Sequence, residues 1–283
     1  MPEYQTDMRR HLCRYRSGKL RVKEKGLYLG RTYQARDGQK VRKSYGHILP
    51  KHRQELNILP GIREGFWKDS PRWGVKLHRD FHHLNSSQAM CFNLFYPFFG
   101  SEVSDSYAML AQLELGDGAL REWRFEYEPD PEEGTNFDFY LNLQDGREAF
   151  FEIKLTESDF GAGRIDERRS AKLRKIYRPA LESLVAPEAL EEDFFFKHYQ
   201  LLRNVSYLSK SARSILFLVF PRENEALEEP LEKLTNELTA EARKRLRVVH
   251  LEDLVTGLAA RVEEANLFLR SHLEEFSEKY FVS

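Results

Sequence analysis

The sequence predicts an α/β fold, and three observations support this. Residues 137–143 alternate apolar and polar side chains, as half-buried strands do. In residues 149–155, Ala149, Phe151, Ile153 and Leu155 share one face, and Asp145-Gly146 between the two segments marks a turn. Residues 214–220 form a continuous apolar run, which is typical of a strand buried on both faces. Helical periodicity precedes, separates and follows these strands. The expected order is therefore helix, three strands, helix and strand.

The N-terminal part is predicted to hold one helix and one hairpin. A short basic helix is expected within residues 1–20. Apolar alternation at 27–33 and 40–48, separated by the turn-forming residues 35–38, predicts an antiparallel pair of strands. Leu59-Pro60-Gly61 then indicates the start of a loop-rich passage that reaches about residue 80.

The main part of the chain begins with a predicted helix that Asn85 or Ser86 can cap. The elements expected after it are a helix at 104–115, a strand at 122–127, the hairpin, a basic helical stretch at 165–184, a helix at 191–208 and the strand at 214–220. Beyond Pro221 the pattern predicts helix through residue 246, a short strand at 248–251 and an amphipathic helix at 254–281.

Three ionisable side chains lie on the polar sides of the two hairpin strands. Asp138 lies on the face opposite the apolar residues of the first strand. In the second strand, Phe151 and Ile153 share the apolar face, so Glu152 and Lys154 project together from the opposite one. Two acids and one ammonium group among apolar residues suggest a charged site.

The turn decides whether Asp138 and Glu152 meet, since a shift of one residue sends a side chain to the other face. A two-residue loop would put Asp138 on the wrong side. A three-residue loop with Gly146 in the left-handed conformation pairs Leu143 with Arg147, and Asp138 then faces Glu152. Their Cβ atoms would be roughly 5 Å apart, a separation at which two carboxylates repel unless a cation lies between them.

Asp138, Glu152 and Lys154 together resemble the motif of the PD-(D/E)xK nuclease superfamily. In that superfamily an aspartate on one strand and an acidic-x-Lys tripeptide on the next hold magnesium. Phe137 replaces the proline that usually precedes the aspartate. The resemblance covers roughly residues 81–220 and implies a three-layer α/β/α sandwich with a mixed central sheet and a restriction-endonuclease-like core.

This resemblance and the composition predict three segments. Residues 1–80 form a basic N-terminal arm with a small hairpin, 81–220 the nuclease core, and 221–283 a helical C-terminal extension packed on that core.

The chemistry implied by the resemblance is phosphodiester hydrolysis. Asp138 and Glu152, with the backbone carbonyl of Ile153, would bind Mg²⁺, for which Mn²⁺ could substitute, because hard oxygen ligands suit such ions. The metal would polarise the phosphate and lower the pKa of the attacking water. Lys154 would orient that water and offset the charge that develops on the phosphate.

Polar residues on the flanking helices are further candidates for the site. Gln88, near the start of the first core helix, and Gln200 are two catalytic candidates, although a helical glutamine is as often solvent-facing or a cap. Arg203 could reach a phosphate of the nucleic-acid backbone, although surface ion pairing is the commoner role for such an arginine.

The charge distribution favours a polyanionic partner. Residues 1–80 hold 20 Lys/Arg and 8 Asp/Glu, whereas the remaining 203 residues hold 24 and 37, so a basic arm precedes an acidic remainder. Tyrosine and tryptophan side chains occur among these cations, and aromatic faces can stack on bases. The alternative is that the arm docks on the acidic remainder of its own chain.

Other classes of site are less well supported. Cys13 and Cys91 are too few for a disulfide framework or a cysteine-ligated zinc site. His78 and His82 have a zinc-compatible spacing, but Pro71 and Gly74 make a helix there doubtful. The sequence lacks a glycine-rich phosphate loop, so no nucleotide cofactor is expected. It also lacks an apolar run of about 20 residues and an apolar leader, so a cytoplasmic protein with no membrane association is expected.

The predicted function is that of a Mg²⁺-dependent endonuclease that hydrolyses DNA. Two alternatives stay open: a non-catalytic nucleic-acid-binding protein with the same fold, and an interaction scaffold whose arm binds an acidic partner. A homodimer would suit double-strand cleavage by one site per chain.

Overall fold

The computed structural model describes residues 3–30, 32–34, 39–101, 104–116 and 118–282. The chain divides into two compact units. The first unit comprises Met1–Asp117 and Glu252–Ser283, and the second comprises Gly118–Leu251. The segments 1–80, 81–220 and 221–283 divide the chain by composition and motif rather than by compactness, and they stay a prediction.

The first unit begins with the predicted basic helix and continues with short strands and helices. Its strands and α-helices up to residue 117 are α1 (Glu3–Gly18), β1 (Gly26–Leu27), β2 (Tyr33–Gln34), β3 (Lys40–Val41), β4 (Ser44–Tyr45), α2 (Pro60–Asp69), α3 (Ser87–Phe99) and α4 (Ser106–Gln112). Strand β1 pairs with β4 and β2 pairs with β3, both antiparallel. The antiparallel pairing is thus found as two separate pairs of two-residue strands rather than as continuous strands over 27–33 and 40–48. The predicted turn at residues 35–38 lies outside the described residues.

Helix α2 corrects the prediction of a loop-rich passage from Leu59 onward. Pro60 is the first helical residue, where its missing N–H is harmless and its fixed φ suits a helix. Ile62 and Phe66 are buried on one side of this helix. The Pro-Gly pair, which usually marks a turn, here starts a helix because buried apolar residues follow at helical spacing.

Ser86 is the cap of α3, as predicted, since its side chain accepts a hydrogen bond from the backbone N–H of Ala89 at 3.3 Å. Inside the unit, the side-chain amide of the buried Asn93 of this helix donates to the Tyr280 hydroxyl at 2.8 Å, and the backbone carbonyl of Asn93 accepts from the His272 ring at 2.7 Å. These hydrogen bonds join α3 to the C-terminal part of the first unit.

The second unit is built on a five-stranded mixed sheet, so the predicted α/β class is confirmed. Its strands are β5 (Leu120–Tyr127), β6 (Phe137–Leu143), β7 (Glu148–Ile153), β8 (Ser214–Phe220) and β9 (Leu246–His250), in the spatial order β5-β6-β7-β8-β9. The β5–β6 and β6–β7 pairs are antiparallel, while β7–β8 and β8–β9 are parallel.

The helices of the second unit are short. They are α5 (Glu167–Lys172), α6 (Arg178–Leu181), α7 (Glu192–Lys197), α8 (Tyr199–Ser206), α9 (Glu228–Glu237) and α10 (Ala240–Arg245), with a π-helical turn (Leu173–Tyr177) joining α5 to α6. The single helix expected at 191–208 is two helices, because His198 has φ −111° and ψ 33° between them. Two short helices thus replace one long one where Gln200 and Arg203 lie.

The C-terminal helices return to the first unit as α11 (Leu251–Arg261) and α12 (Leu267–Tyr280). The sequence predicted one helix over 254–281. The break lies at residues 262–266, where the Asn266 side chain accepts from the backbone N–H of Leu269 at 3.1 Å and caps α12. None of the helices in the described residues is long and apolar enough to cross a membrane.

One face of the sheet packs against helices of its own unit. Tyr140, Phe150, Leu216 and Leu218 lie on this face, together with Phe220, and form one buried cluster with side chains of the surrounding helices. Burying a large apolar side chain stabilises a fold by roughly 1.5–3 kcal/mol. Asp138 is two residues from Tyr140, and Glu152 is two residues from Phe150, so both acids lie on the same face of the sheet as this cluster. The apolar layer therefore surrounds the predicted charged site.

Candidate active site

The bulged turn predicted for the hairpin is present. The backbone N–H of Leu143 donates to the carbonyl of Arg147 at 2.9 Å, and Gly146 has φ 85°, in the left-handed region. Phe139 pairs with Phe151, which is the register that a three-residue loop gives. Extending this register by one residue sets Asp138 level with Glu152, as predicted.

Asp138 lies at the end of the β6–β7 pairing. Its carboxylate Oδ2 accepts a hydrogen bond of 2.6 Å from the backbone N–H of Ile153. Lys154 follows, and its backbone N–H donates to the carbonyl of Val219 on β8 at 2.9 Å. The acid-x-Lys segment is therefore held on both sides by neighbouring strands, at the C-terminal end of β7.

Three polar side chains at the end of β7 each contact the other two: Glu152, Lys154 and Gln200. The Lys154 Nζ lies 2.8 Å from Oε1 of Glu152, a carboxylate that is only 4% exposed. Gln200 donates its amide to the same Oε1 at 2.8 Å and accepts from the Lys154 Nζ at 3.1 Å. Of the two predicted glutamines, Gln200 is thus brought to the predicted site.

Asn204 completes the surroundings of Glu152 and was not predicted from the sequence. Its side-chain amide donates to Oε2 of Glu152 at 3.0 Å, and the residue is buried. Gln200 and Asn204 are four residues apart on α8, so they lie on one helix face. That spacing of two amides on one helix is the signal that could have identified Asn204.

The electrostatics of the site depend on burial and on close charges. Burial alone would lower the pKa of Lys154, but the carboxylates of Glu152, Glu157 and Asp138 outweigh it and raise that pKa. Burial and the charge of Glu152 raise the pKa of Asp138 well above its usual range, and Glu126 adds to this. Two interacting carboxylates beside one ammonium group attract a further cation.

Two more acids near the site, Glu126 and Glu157, were not predicted from the sequence. Glu126 lies level with Asp138 by the register of β5 and β6, and its φ of 49° is unusual for a residue other than glycine. Glu157 accepts from the backbone N–H groups of Leu155 and Thr156 at 2.7 and 2.9 Å. Both acids lie on irregular backbone, which periodicity does not detect.

Gly161 lets α8 approach the site closely. The carbonyl of Gly161 accepts from the backbone N–H of Gln200 at 3.1 Å. A Cβ atom at Gly161 would lie 3.0 Å from the Gln200 Oε1, and its φ of 92° disfavours other residues. The glycine therefore leaves room for the Gln200 amide to reach Glu152.

Arg203 contacts a buried network of polar side chains centred on Glu133. Its Nε lies 3.1 Å from Oε1 of Glu133, and its guanidinium lies over the Tyr199 ring. Glu133 also accepts from the hydroxyls of Tyr177 and Tyr207. The contact of Arg203 with a nucleic-acid phosphate stays a prediction, while its contact with Glu133 anchors α8.

Gln88 lies in the first unit, where its side chain binds backbone groups. Its Oε1 accepts from the N–H of His78 at 2.9 Å, and its Nε2 donates to the carbonyl of Lys76 at 3.0 Å. Both ends of the buried amide thus hold residues 76–78 against α3. Its catalytic role stays a prediction.

The donor set of the site suits a hard divalent ion. Mg²⁺ is commonly held by one or two carboxylates, with waters and substrate phosphates completing the octahedron. Asp138, Glu152 and the Ile153 carbonyl supply oxygen donors of this kind. Among the described residues, no group of three or more His, Cys, Asp or Glu side chains is arranged to hold a metal, so a site built only from such side chains is not found there.

Comparison with protein families gives a match that covers residues 14–281. The matched family is described as restriction endonuclease associating with ARP. Comparison with curated proteins gives no match, and neither does comparison with solved structures. The family match confirms the resemblance to restriction-endonuclease-like nucleases and indicates a nuclease-like role. Since it spans nearly the whole sequence of 283 residues, the chain belongs to the family of restriction endonucleases associating with ARP.

Proposed function

We propose that this protein is a Mg²⁺-dependent endonuclease that hydrolyses phosphodiester bonds of DNA. The observation that carries the proposal is the convergence of Asp138, Glu152 and Lys154 at the C-terminal end of β7. The family match supports the nuclease class and a DNA substrate.

Asp138 and Glu152 would hold the metal with the carbonyl of Ile153. When bound, Mg²⁺ would polarise the scissile phosphate and lower the pKa of the attacking water. The raised pKa of Asp138 reflects burial and its carboxylate neighbours, and a divalent cation would relieve that repulsion. Mn²⁺ could substitute, because it also accepts carboxylate, carbonyl and water ligands.

Lys154 and Gln200 would organise the reacting groups. The neighbouring carboxylates keep Lys154 protonated at neutral pH, so it offers a fixed positive charge to the phosphate oxygens. Gln200 contacts both Lys154 and Glu152, and it would keep the ammonium group and the carboxylate in a constant relative position.

The basic arm would add sequence-independent affinity for DNA. Lys23, Lys25, Arg42 and Lys43 are exposed in the described part of this arm. Each cation that neutralises a phosphate releases a counterion, so binding through these residues would weaken with salt. The arm thus supports a polyanionic substrate independently of the carboxylates.

The test is nicking of supercoiled plasmid by the full chain, with Mg²⁺ or with EDTA. The wild type is expected to nick the plasmid only with metal, and Asp138→Asn and Lys154→Ala are expected to lose at least about 10²-fold in rate. Lys197→Ala, a change of an exposed lysine on α7, is the matched control and should nick at the wild-type rate.

Two results would contradict the proposal. Salt-sensitive DNA binding without cleavage would indicate the non-catalytic nucleic-acid-binding protein. An absence of DNA affinity even at low salt would indicate the interaction scaffold.

A further inference from the structure

We infer that the second unit binds DNA backbone phosphates at a basic cavity separate from the carboxylates, an inference that rests on the proposed function. The cavity has a volume of about 460 Å³ and lies where the hairpin turn, the start of β8 and the end of α10 meet. Its lining residues are Asp145, Arg147, Ala212, Arg213, Ile215, Lys244 and Arg245. Four of these seven are cationic and one is acidic.

The cations are held in place by the surrounding structure. Arg147 lies 2.8 Å from the Asp145 carboxylate, and Arg213 donates to the Asp145 carbonyl. The Nη1 of Arg245 donates to the carbonyls of Leu208 and Ser211 at 2.6 and 2.9 Å. Arg245 also lies 3.7 Å from the Glu241 carboxylate, so Asp145 and Glu241 offset two of the four positive charges. The cavity therefore keeps a net positive charge and a positive potential.

This positive cavity contrasts with the rest of its unit. Residues 118–251 hold 21 Lys/Arg and 26 Asp/Glu, so the unit as a whole is acidic. The C-terminal end of α10 accounts for Lys244 and Arg245, since cations there are stabilised by the helix dipole. It does not account for Arg147 and Arg213, which come from two strand ends and face the same cavity.

The cavity cannot hold the phosphate that is cleaved. Arg147 precedes β7 and Glu152 lies five residues further along this strand, so roughly 17 Å, at about 3.3 Å per residue, separates the cavity from the carboxylates. A flanking phosphate fits this separation, because phosphates repeat along each DNA strand at about 3.4 Å of helix axis. The expected role is therefore in affinity and positioning.

Equilibrium DNA binding by the full-length double variant Arg213→Ala/Lys244→Ala tests the inference. A labelled duplex is titrated in EDTA, so that binding is measured without cleavage, at several salt concentrations. Loss of two phosphate contacts should raise Kd about 10-fold and reduce the slope of log K against log salt by about 1.8. The control Lys197→Ala/Lys233→Ala removes the same charge from α7 and α9 and should leave both quantities near wild type.

Urea unfolding of both variants establishes that they are folded. Wild-type Kd and slope in the Arg213→Ala/Lys244→Ala variant, or an equal loss in the control, would overturn the inference. An effect on the binding of inorganic phosphate but not of the duplex would overturn the assignment to DNA. If the wild type nicks plasmid while the double variant binds DNA normally, the inference fails and the proposed function stands.

Discussion

The side-chain amide of Asn204 donates to Oε2 of Glu152 across 3.0 Å, while Gln200, one turn earlier on α8, donates to Oε1 across 2.8 Å. One helix thus supplies a hydrogen-bond donor to each oxygen of a single buried carboxylate. The orientation of Glu152 therefore depends on where α8 lies, and α8 is in turn anchored by Arg203 through Glu133.

Asn204→Ala should destabilise the protein and lower its nuclease rate. The change leaves Oε2 of Glu152 buried without a donor, which typically costs about 1–3 kcal/mol. Urea unfolding measures this loss. The control Asn136→Ala removes an amide that donates to Glu126 from an exposed position, and it should cost less than about 0.5 kcal/mol. Equal losses of unfolding free energy in the two variants would show that the hydrogen bond from Asn204 to Glu152 does not stabilise the fold.

Gly161→Ala should move Gln200 away from Glu152. The added Cβ would lie 3.0 Å from the Gln200 Oε1, and the positive φ adds strain of about 1–2 kcal/mol. Gly74→Ala is the matched control, because Gly74 has φ 65° but nothing within 4 Å of an added Cβ. Both variants should lose stability, and only Gly161→Ala should lose cleavage. Full cleavage by Gly161→Ala would contradict the expected displacement.

Glu133→Gln should make the free energy of unfolding less dependent on pH in the acid range. Burial alone would raise the pKa of Glu133, but hydrogen bonds from Thr135 and Tyr177 and the charge of Arg203 outweigh it and lower that pKa. The folded state then binds fewer protons than the unfolded one, so this stabilisation is present above pH 4.5, the ordinary value, and is lost as pH falls through the lower folded pKa.

The free energy of unfolding of wild type and Glu133→Gln, measured from pH 7 to pH 3, tests this. At pH 7 the variant should be less stable by about 1.5–3 kcal/mol, the usual effect of charged hydrogen bonds. The two curves should converge in acid. A constant difference across the range would argue against a lowered pKa.

Lys154→Met should strengthen Mg²⁺ binding in the absence of DNA and abolish cleavage. The ammonium group lies 2.8 Å from Glu152 and competes with a metal for that carboxylate. Its removal should lower the Kd for Mg²⁺ roughly 10-fold, equivalent to about 1.4 kcal/mol, as measured by calorimetry. Weaker metal binding by the variant would mean that Lys154 supports the metal site instead of competing with it.

Local features of the sequence predicted the hairpin half of the site. Alternation assigned Asp138, Glu152 and Lys154 to one side, and the Gly146 turn determined the register, because strand pairing across a short turn depends only on loop length and side-chain parity. Gln200 was also predicted. Gln88 and Gln200 were both predicted because they are polar residues on helices that flank the strands. The structure separates them, since the Gln88 amide binds backbone groups of residues 76–78.

Long-range contacts account for what the sequence did not predict. Asn204 contacts Glu152 across 52 residues. Its four-residue spacing from Gln200 places both amides on one helix face, but periodicity does not show which strand that face contacts. The start of α2 at Pro60 was missed because a Pro-Gly pair also marks turns. Histidine is not a helix-breaking residue, so the sequence did not show that α7 and α8 are separated at His198.

The most direct test of the account is the anomalous difference density of a crystal soaked in Mn²⁺. We expect a peak about 2.0–2.2 Å from carboxylate oxygens of Asp138 and Glu152 and from the Ile153 carbonyl, near the Mg²⁺ ligand distance. The same soak of Asp138→Asn should lack that peak. Mn²⁺ bound only elsewhere, with Glu152 still held by Lys154, Gln200 and Asn204, would contradict the account.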